Sequence, residues 1–139
     1  MEYLGAYGST SVLFERIVKA ALIVLAAAAL LGGTYYMSFR NWREERQAGA
    51  FFELLQERRY EEAYRMWGCS VEEPCRYYPY EEFLEDWGPE APFGELTEYS
   101  LGRSYTQPDG VILRYTINGE NGDPLWIELD PPAINFAPN

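Results

Sequence analysis

Histidine is absent from the 139 residues. That removes catalytic triads, imidazole relays and His-ligated metals together, and leaves chemistry to carboxylates, phenols and two thiols. The thiols, Cys69 and Cys75, stand in the segment GCSVEEPC, whose Gly and Pro let the chain loop back, so a local disulfide fits both count and spacing. The other use of such a pair is a metal half-site, but zinc takes four ligands and the chain holds no second cysteine pair. For acid–base work one arrangement is worth testing: Asp86, next to Trp87, with Tyr64 on a neighbouring helix. The plainer assignment leaves Asp86 solvated and makes Tyr64 a core ring with its hydroxyl at the surface. Glu72-Glu73 and Glu81-Glu82 are adjacent carboxylates that point to different sides of a helix and lack calcium-loop spacing. There is no glycine-rich phosphate loop, so no catalytic, cofactor-binding or metal-ligating residue is assigned and no cofactor is expected.

Charge narrows the partners further. Glu2 and Glu15 are balanced by Arg16 and Lys19, so the formal charge of −11 falls entirely after residue 39. A polyanion is bound by clustered Lys and Arg that release counterions, whereas here the Arg residues are interleaved with a larger number of carboxylates. Nucleic acid is therefore not an expected partner; solubility and a solvated face account for the balance first, ahead of a basic protein surface or a divalent cation.

These residues are carried on a chain whose strongest signal is physical rather than chemical. From Ala20 to Phe39 runs an uncharged stretch, AALIVLAAAALLGGTYYMSF, which at a rise of about 1.5 Å per residue crosses a hydrocarbon slab about 30 Å thick. Arg16 and Lys19 border it on one side and Arg40, Arg43 and Arg46 on the other, while Tyr35, Tyr36, Phe39 and Trp42 lie where an interfacial aromatic belt belongs. A cleaved leader is the alternative; the long charged segment before the run and the length of the run favour a retained anchor. The helix is expected to start near Ser9 to Ser11, whose hydroxyls cap well, and to continue past Arg40 into the soluble part. The flanking cations slightly favour a cytoplasmic C-terminal side, but a disulfide persists only in an oxidising compartment. On that ground the N-terminus is expected in the cytoplasm and the domain outside it, in a periplasm or its equivalent.

The chain after the anchor is long enough for one compact core. Three segments carry apolar residues at i, i+3, i+4 and i+7: Ala48, Phe51, Phe52, Leu55; Tyr60, Ala63, Tyr64, Trp67; and Tyr80, Phe83, Leu84, Trp87. Each is one face of a helix. After Phe93 the period becomes 2, with Tyr99, Leu101 and Tyr105, then Val111, Leu113, Tyr115 and Ile117, then Leu125, Ile127 and Leu129, each on one face of a strand. Pro108-Asp109-Gly110 and Asn121-Gly122-Asp123 supply the turns of an antiparallel meander. The organisation predicted is a short N-terminal segment (1–11), a transmembrane helix with its flanks (12–43), a soluble α+β domain of three short helices packed on a curved antiparallel sheet (44–130), and a Pro-rich tail (131–139). The prolines of that tail are expected to keep it from extending the ladder, so that it lies across the domain or a partner.

The wording FFELLQERRYEEAYRMW, with YEEFLEDWG as the third helix and a meander after it, resembles the nuclear transport factor two-like superfamily, especially its small membrane-anchored bacterial members of unknown function. The resemblance covers about residues 46 to 130. It implies a cone of helices on a strongly bent sheet, in a superfamily that ranges from isomerases, some pairing a buried Asp base with a Tyr donor, to scaffolds without activity. This chain offers three convincing strands where the family has four or more, which implies a truncated cone with a shallow or filled pocket.

Two functions follow as expectations. The first is a non-catalytic accessory or assembly subunit of a larger membrane complex, with the bilayer and integral membrane subunits as partners. Ala26, Ala29, Gly32 and Gly33 would let neighbouring helices approach closely. Tyr77, Tyr78, Trp126 and Phe136, aromatics outside the core pattern, would form a protein interface. The alternative is a tethered small-ligand-binding or isomerase-like domain that uses the space between helices and sheet; Phe51, Trp67 and Tyr115 filling that space would dispose of it.

Overall fold

The computed structural model describes the backbone of residues 3–138 and the side chains of residues 10–138. The chain divides between Arg40 and Asn41 into two compact units. The first is a helix, α1 (Tyr3–Phe39), which runs through Ser9–Ser11 rather than starting there. No proline interrupts the preceding residues, and extending a formed helix adds one hydrogen bond per residue fixed. The most apolar 18-residue window has a mean hydropathy of 2.1, and none of it is buried. A helix that is apolar all round and uncovered is long and greasy enough to cross a membrane.

The second unit opens with a break, not a continuous helix. Arg40 and Asn41 form a turn before α2 (Trp42–Gln56). Asn41 is buried, and its amide donates to Ser104 Oγ (2.9 Å) while its Oδ1 accepts from Thr106 Oγ1 (2.8 Å). Ser104 in turn donates to Glu45 Oε1 at 2.6 Å. These bonds reach 59 to 65 residues along the chain, which is why helical periodicity alone did not mark the break.

Two further helices follow, α3 (Tyr60–Arg65) and α4 (Tyr80–Trp87). Pro79 occupies the N-cap of α4, Glu81 and Glu82 sit in its first turn where the dipole favours them, and Gly88 ends it. The strands are β1 (Tyr99–Thr106), β2 (Gly110–Ile117), β3 (Glu120–Asn121), β4 (Leu125–Leu129) and β5 (Pro132–Phe136). They form one open antiparallel sheet in the order β1-β2-β4-β5, with β3 paired to β2 beyond the end of β4. The molecule is therefore α+β.

Besides a register shift between Leu101 and Ser104, which pairs Tyr105 with Ile112 and takes it off the face that Tyr99 and Leu101 share, two parts of the sheet depart from the sequence reading. The first concerns the β2–β3 turn, which lies at Asn118-Gly119, where both residues have positive φ (50° and 81°), the conformation an Asn-Gly hairpin turn requires. The second is the tail, which does extend the ladder. Residues 132–136 pair with β4 in the register Ile127↔Ile134. Proline is tolerated at the first residue of an edge strand, and Pro132 stands there. The outward N–H of Ile134 is not wasted on solvent; it donates to the Met66 carbonyl at 2.8 Å and ties the tail to the end of α3.

The helices and sheet meet in a core of rings. Phe51, Phe52, Tyr64 and Phe83 are wholly buried, with Leu55, Trp67, Trp87, Tyr115, Ile117, Leu125 and Ile134 around them. The expected alternation in β2 holds at Val111, Leu113, Tyr115 and Ile117, all buried. Phe51 lies at the centre, with its ring 5.1 Å from Trp87, 5.4 Å from Phe52 and 6.2 Å from Trp67.

Candidate functional site

α3 and α4 position a connected set of polar groups through the cysteine loop. Cys69 and Cys75 are joined as a disulfide with Cα atoms 5.3 Å apart, and the loop leaves α3 through Gly68, whose φ is +84°. Tyr64 projects from α3 beneath it. The Tyr64 hydroxyl accepts from the Cys75 N–H (2.9 Å) and donates to the Tyr78 carbonyl (2.7 Å), so it is buried and fully used. Its role is to hold the loop, and it does not meet Asp86.

Asp86 is engaged by a different phenol. The Tyr78 hydroxyl donates to Asp86 Oδ2 at 2.7 Å, and the Tyr78 ring lies against Trp67 (4.9 Å) and Phe136 (5.6 Å). Burial pushes the Tyr78 pKa well up, and the bond to Asp86 and that carboxylate's charge raise it further. A phenol that holds its proton this firmly is a donor, not a base. The indole N–H groups of Trp67 and Trp87 are buried without a hydrogen bond of good geometry.

Beside this set lies a cleft of ≈ 490 Å³. Asp86 and Trp87 form one wall at the end of α4, and Pro92 and Phe93 continue it. Tyr115 of β2 and Phe136 of β5 contribute from the sheet, and Glu120 to Asp123 close the far side. Gly122 is required there, because a Cβ would collide with the Tyr115 ring. Burial raises the Tyr115 pKa, and the charges of Asp123 and Asp86 raise it further, so both carboxylates bear on one phenol.

Asn118, which the sequence reading did not single out, organises the wall that carries Phe93. Its Oδ1 accepts from Thr97 N (3.0 Å), Thr97 Oγ1 (2.9 Å) and Glu98 N (3.2 Å), and its amide donates to the Phe93 and Glu95 carbonyls, both at 2.9 Å. The signal was present as Asn-Gly, the strongest short hairpin mark.

The residues expected at an interface have distinct fates. Tyr77 is 83% exposed, with the Arg76 guanidinium 5.2 Å from its ring. Tyr78 is half-buried in the polar set already described. Trp126 is half-buried over Gly110, where a Cβ would come within 2.6 Å of the indole. Phe136 stacks on Trp87 (6.1 Å, 12° between planes) and lines the cleft. In the first unit Ala26, Ala29, Gly32 and Gly33 are exposed, and space around both glycines is open. Arg16, Tyr35, Tyr36, Phe39 and Arg40 are exposed too, with Lys19 paired to Glu15 at 2.6 Å; in the second unit Trp42 is exposed, with Arg46 over its ring at 5.0 Å. Among the described residues, no three Cys, Asp or Glu side chains converge as a metal site would require.

No protein-family model, no curated protein and no solved structure matches this chain.

Proposed function

We propose that this protein is a single-pass membrane accessory subunit, anchored by α1 and presenting an acidic domain to the exposed surfaces of a larger membrane complex. The observation that carries the reading is a contrast. α1 leaves its most apolar window uncovered, while the space between helices and sheet in the second unit is occupied by Phe51, Trp67 and Tyr115. A helix of that kind needs lipid or other helices around it, and the rings leave no buried chamber among Phe51, Trp67 and Tyr115, the cleft that Tyr115 also lines being at the end of α4. The order of α2, α3, α4 and sheet supports the resemblance to the nuclear transport factor two-like superfamily in its scaffold-type members. The Cys69–Cys75 disulfide supports an extracytoplasmic, periplasm-like side for the domain, with the N-terminus in the cytoplasm.

Small residues on α1 suit close helix packing, so Ala29→Leu with Gly33→Leu is the informative variant. Isolated from native membranes in mild detergent, the unaltered protein is expected to migrate with stoichiometric integral membrane partners, and the double variant to migrate alone while keeping its disulfide. Recovery of the unaltered protein as a lone monomer contradicts the proposal.

A further inference from the structure

The cleft at the end of α4 has a composition that core packing does not require. Asp86, Glu120 and Asp123 line it, and no Arg or Lys does. The ion pairs among the described residues engage Glu15, Glu57, Glu62 and Glu95, so these three carboxylates have no cationic partner in them. Asp86 accepts one phenolic hydrogen bond, which leaves its charge in place. The apolar part of the lining is aromatic: Trp87 has Phe93, Tyr115 and Phe136 within 6.0–6.1 Å of its ring centre.

We propose that this cleft binds a small organic cation of the alkylammonium class. Three unpaired carboxylates give it a negative field, which repels anions and draws cations. A metal ion would need ligands converging at short range, and no such group is present among the described residues. An ammonium head carrying methyl or methylene groups uses what the cleft offers, since its charge spreads over carbon that rests on the accessible parts of Phe93 and Phe136, Trp87 and Tyr115 being almost wholly buried, while the carboxylates act at longer range. The volume of ≈ 490 Å³ falls within the range of small-molecule sites. The shape is also held in place: Asn118 fixes the Phe93 segment, and the Gly122 N–H donates to the Tyr115 carbonyl at 3.3 Å. The site stands apart from the membrane-subunit reading, because it lies within the second unit and would bind its ligand whether or not the protein has partners.

The test is calorimetric titration of the full chain in a maltoside detergent, chosen to avoid choline-like head groups, with choline and with its neutral isostere 3,3-dimethylbutan-1-ol. Saturable choline binding is expected, with the neutral isostere at least about tenfold weaker. Glu120→Gln with Asp123→Asn, both at exposed positions, is expected to weaken choline by about tenfold or more while melting temperature and disulfide stay as they were. Glu90→Gln, outside the cleft, is the control and should bind as the unaltered protein does. Equal binding of choline and the isostere, no saturable choline binding, or an unchanged affinity in the double variant would each overturn the proposal.

Discussion

Asn118 shows how much one side chain can hold. Its amide satisfies five polar groups across residues 93–98 while its backbone sits at a φ of 50°, a conformation Asn tolerates better than most residues. Asn118→Ala is expected to cost roughly 2–4 kcal/mol, since it strands partly buried donors and acceptors and adds backbone strain. Chemical denaturation reads this directly, and Asn118→Gly should recover the backbone share only. Tyr78 and Tyr115 make a second prediction. Both phenols titrate above their ordinary value in the folded chain, chiefly because they are buried. A raised folded pKa means the unfolded chain releases its proton first, so stability is undiminished below about pH 10 and falls as pH rises beyond it. Melting temperatures between pH 8 and 11 should be flat and then decline, and Tyr78→Phe should soften the decline. These two residues were only partly legible in the sequence. Tyr115 falls on the alternating face of its strand, whereas Tyr78 gains its role from Asp86, eight residues away on a helix whose orientation is set by the core.

At the level of elements, local periodicity identified what local forces determine. Ala48, Phe51, Phe52 and Leu55 repeat at helical spacing and are all buried; Val111, Leu113, Tyr115 and Ile117 alternate and are buried as well. The tail was misread because its prolines argue against a ladder in isolation, while the edge position and the Met66 carbonyl that receives the Ile134 N–H are tertiary facts. The Arg40–Asn41 turn was missed for the same reason. Ile134 is wholly buried between β5 and the helices, so Ile134→Ala should destabilise the domain by about 2–5 kcal/mol. The disulfide belongs to this scale too. Cys69 and Cys75 close a short loop already held by Tyr64, and Cys69→Ser with Cys75→Ser is expected to cost about 2 kcal/mol in a domain that still folds. A melt with and without reductant checks this, and an unfolded double variant would show that Tyr64 alone cannot hold the loop.

For the whole molecule, the two units state opposite requirements. The second covers its apolar side chains with its own aromatic core and carries more than the whole of the chain's net negative charge, −12 against +1 on the first, whereas the first buries nothing along its apolar window. The long apolar helix and the aromatic core were readable from composition and spacing. The cleft was not, because its lining comes from α4, the segment after it, β2, the β3 hairpin and β5, and no stretch of sequence announces that they meet. One measurement bears most directly on a bilayer-held subunit with an oxidised domain: intact-mass analysis, without reductant, of the chain recovered from carbonate-washed native membranes. The expected species retains residues 20–39 and is lighter by two hydrogens for the Cys69–Cys75 bond. A chain found in the soluble fraction without that stretch, or one with two free thiols, would contradict it.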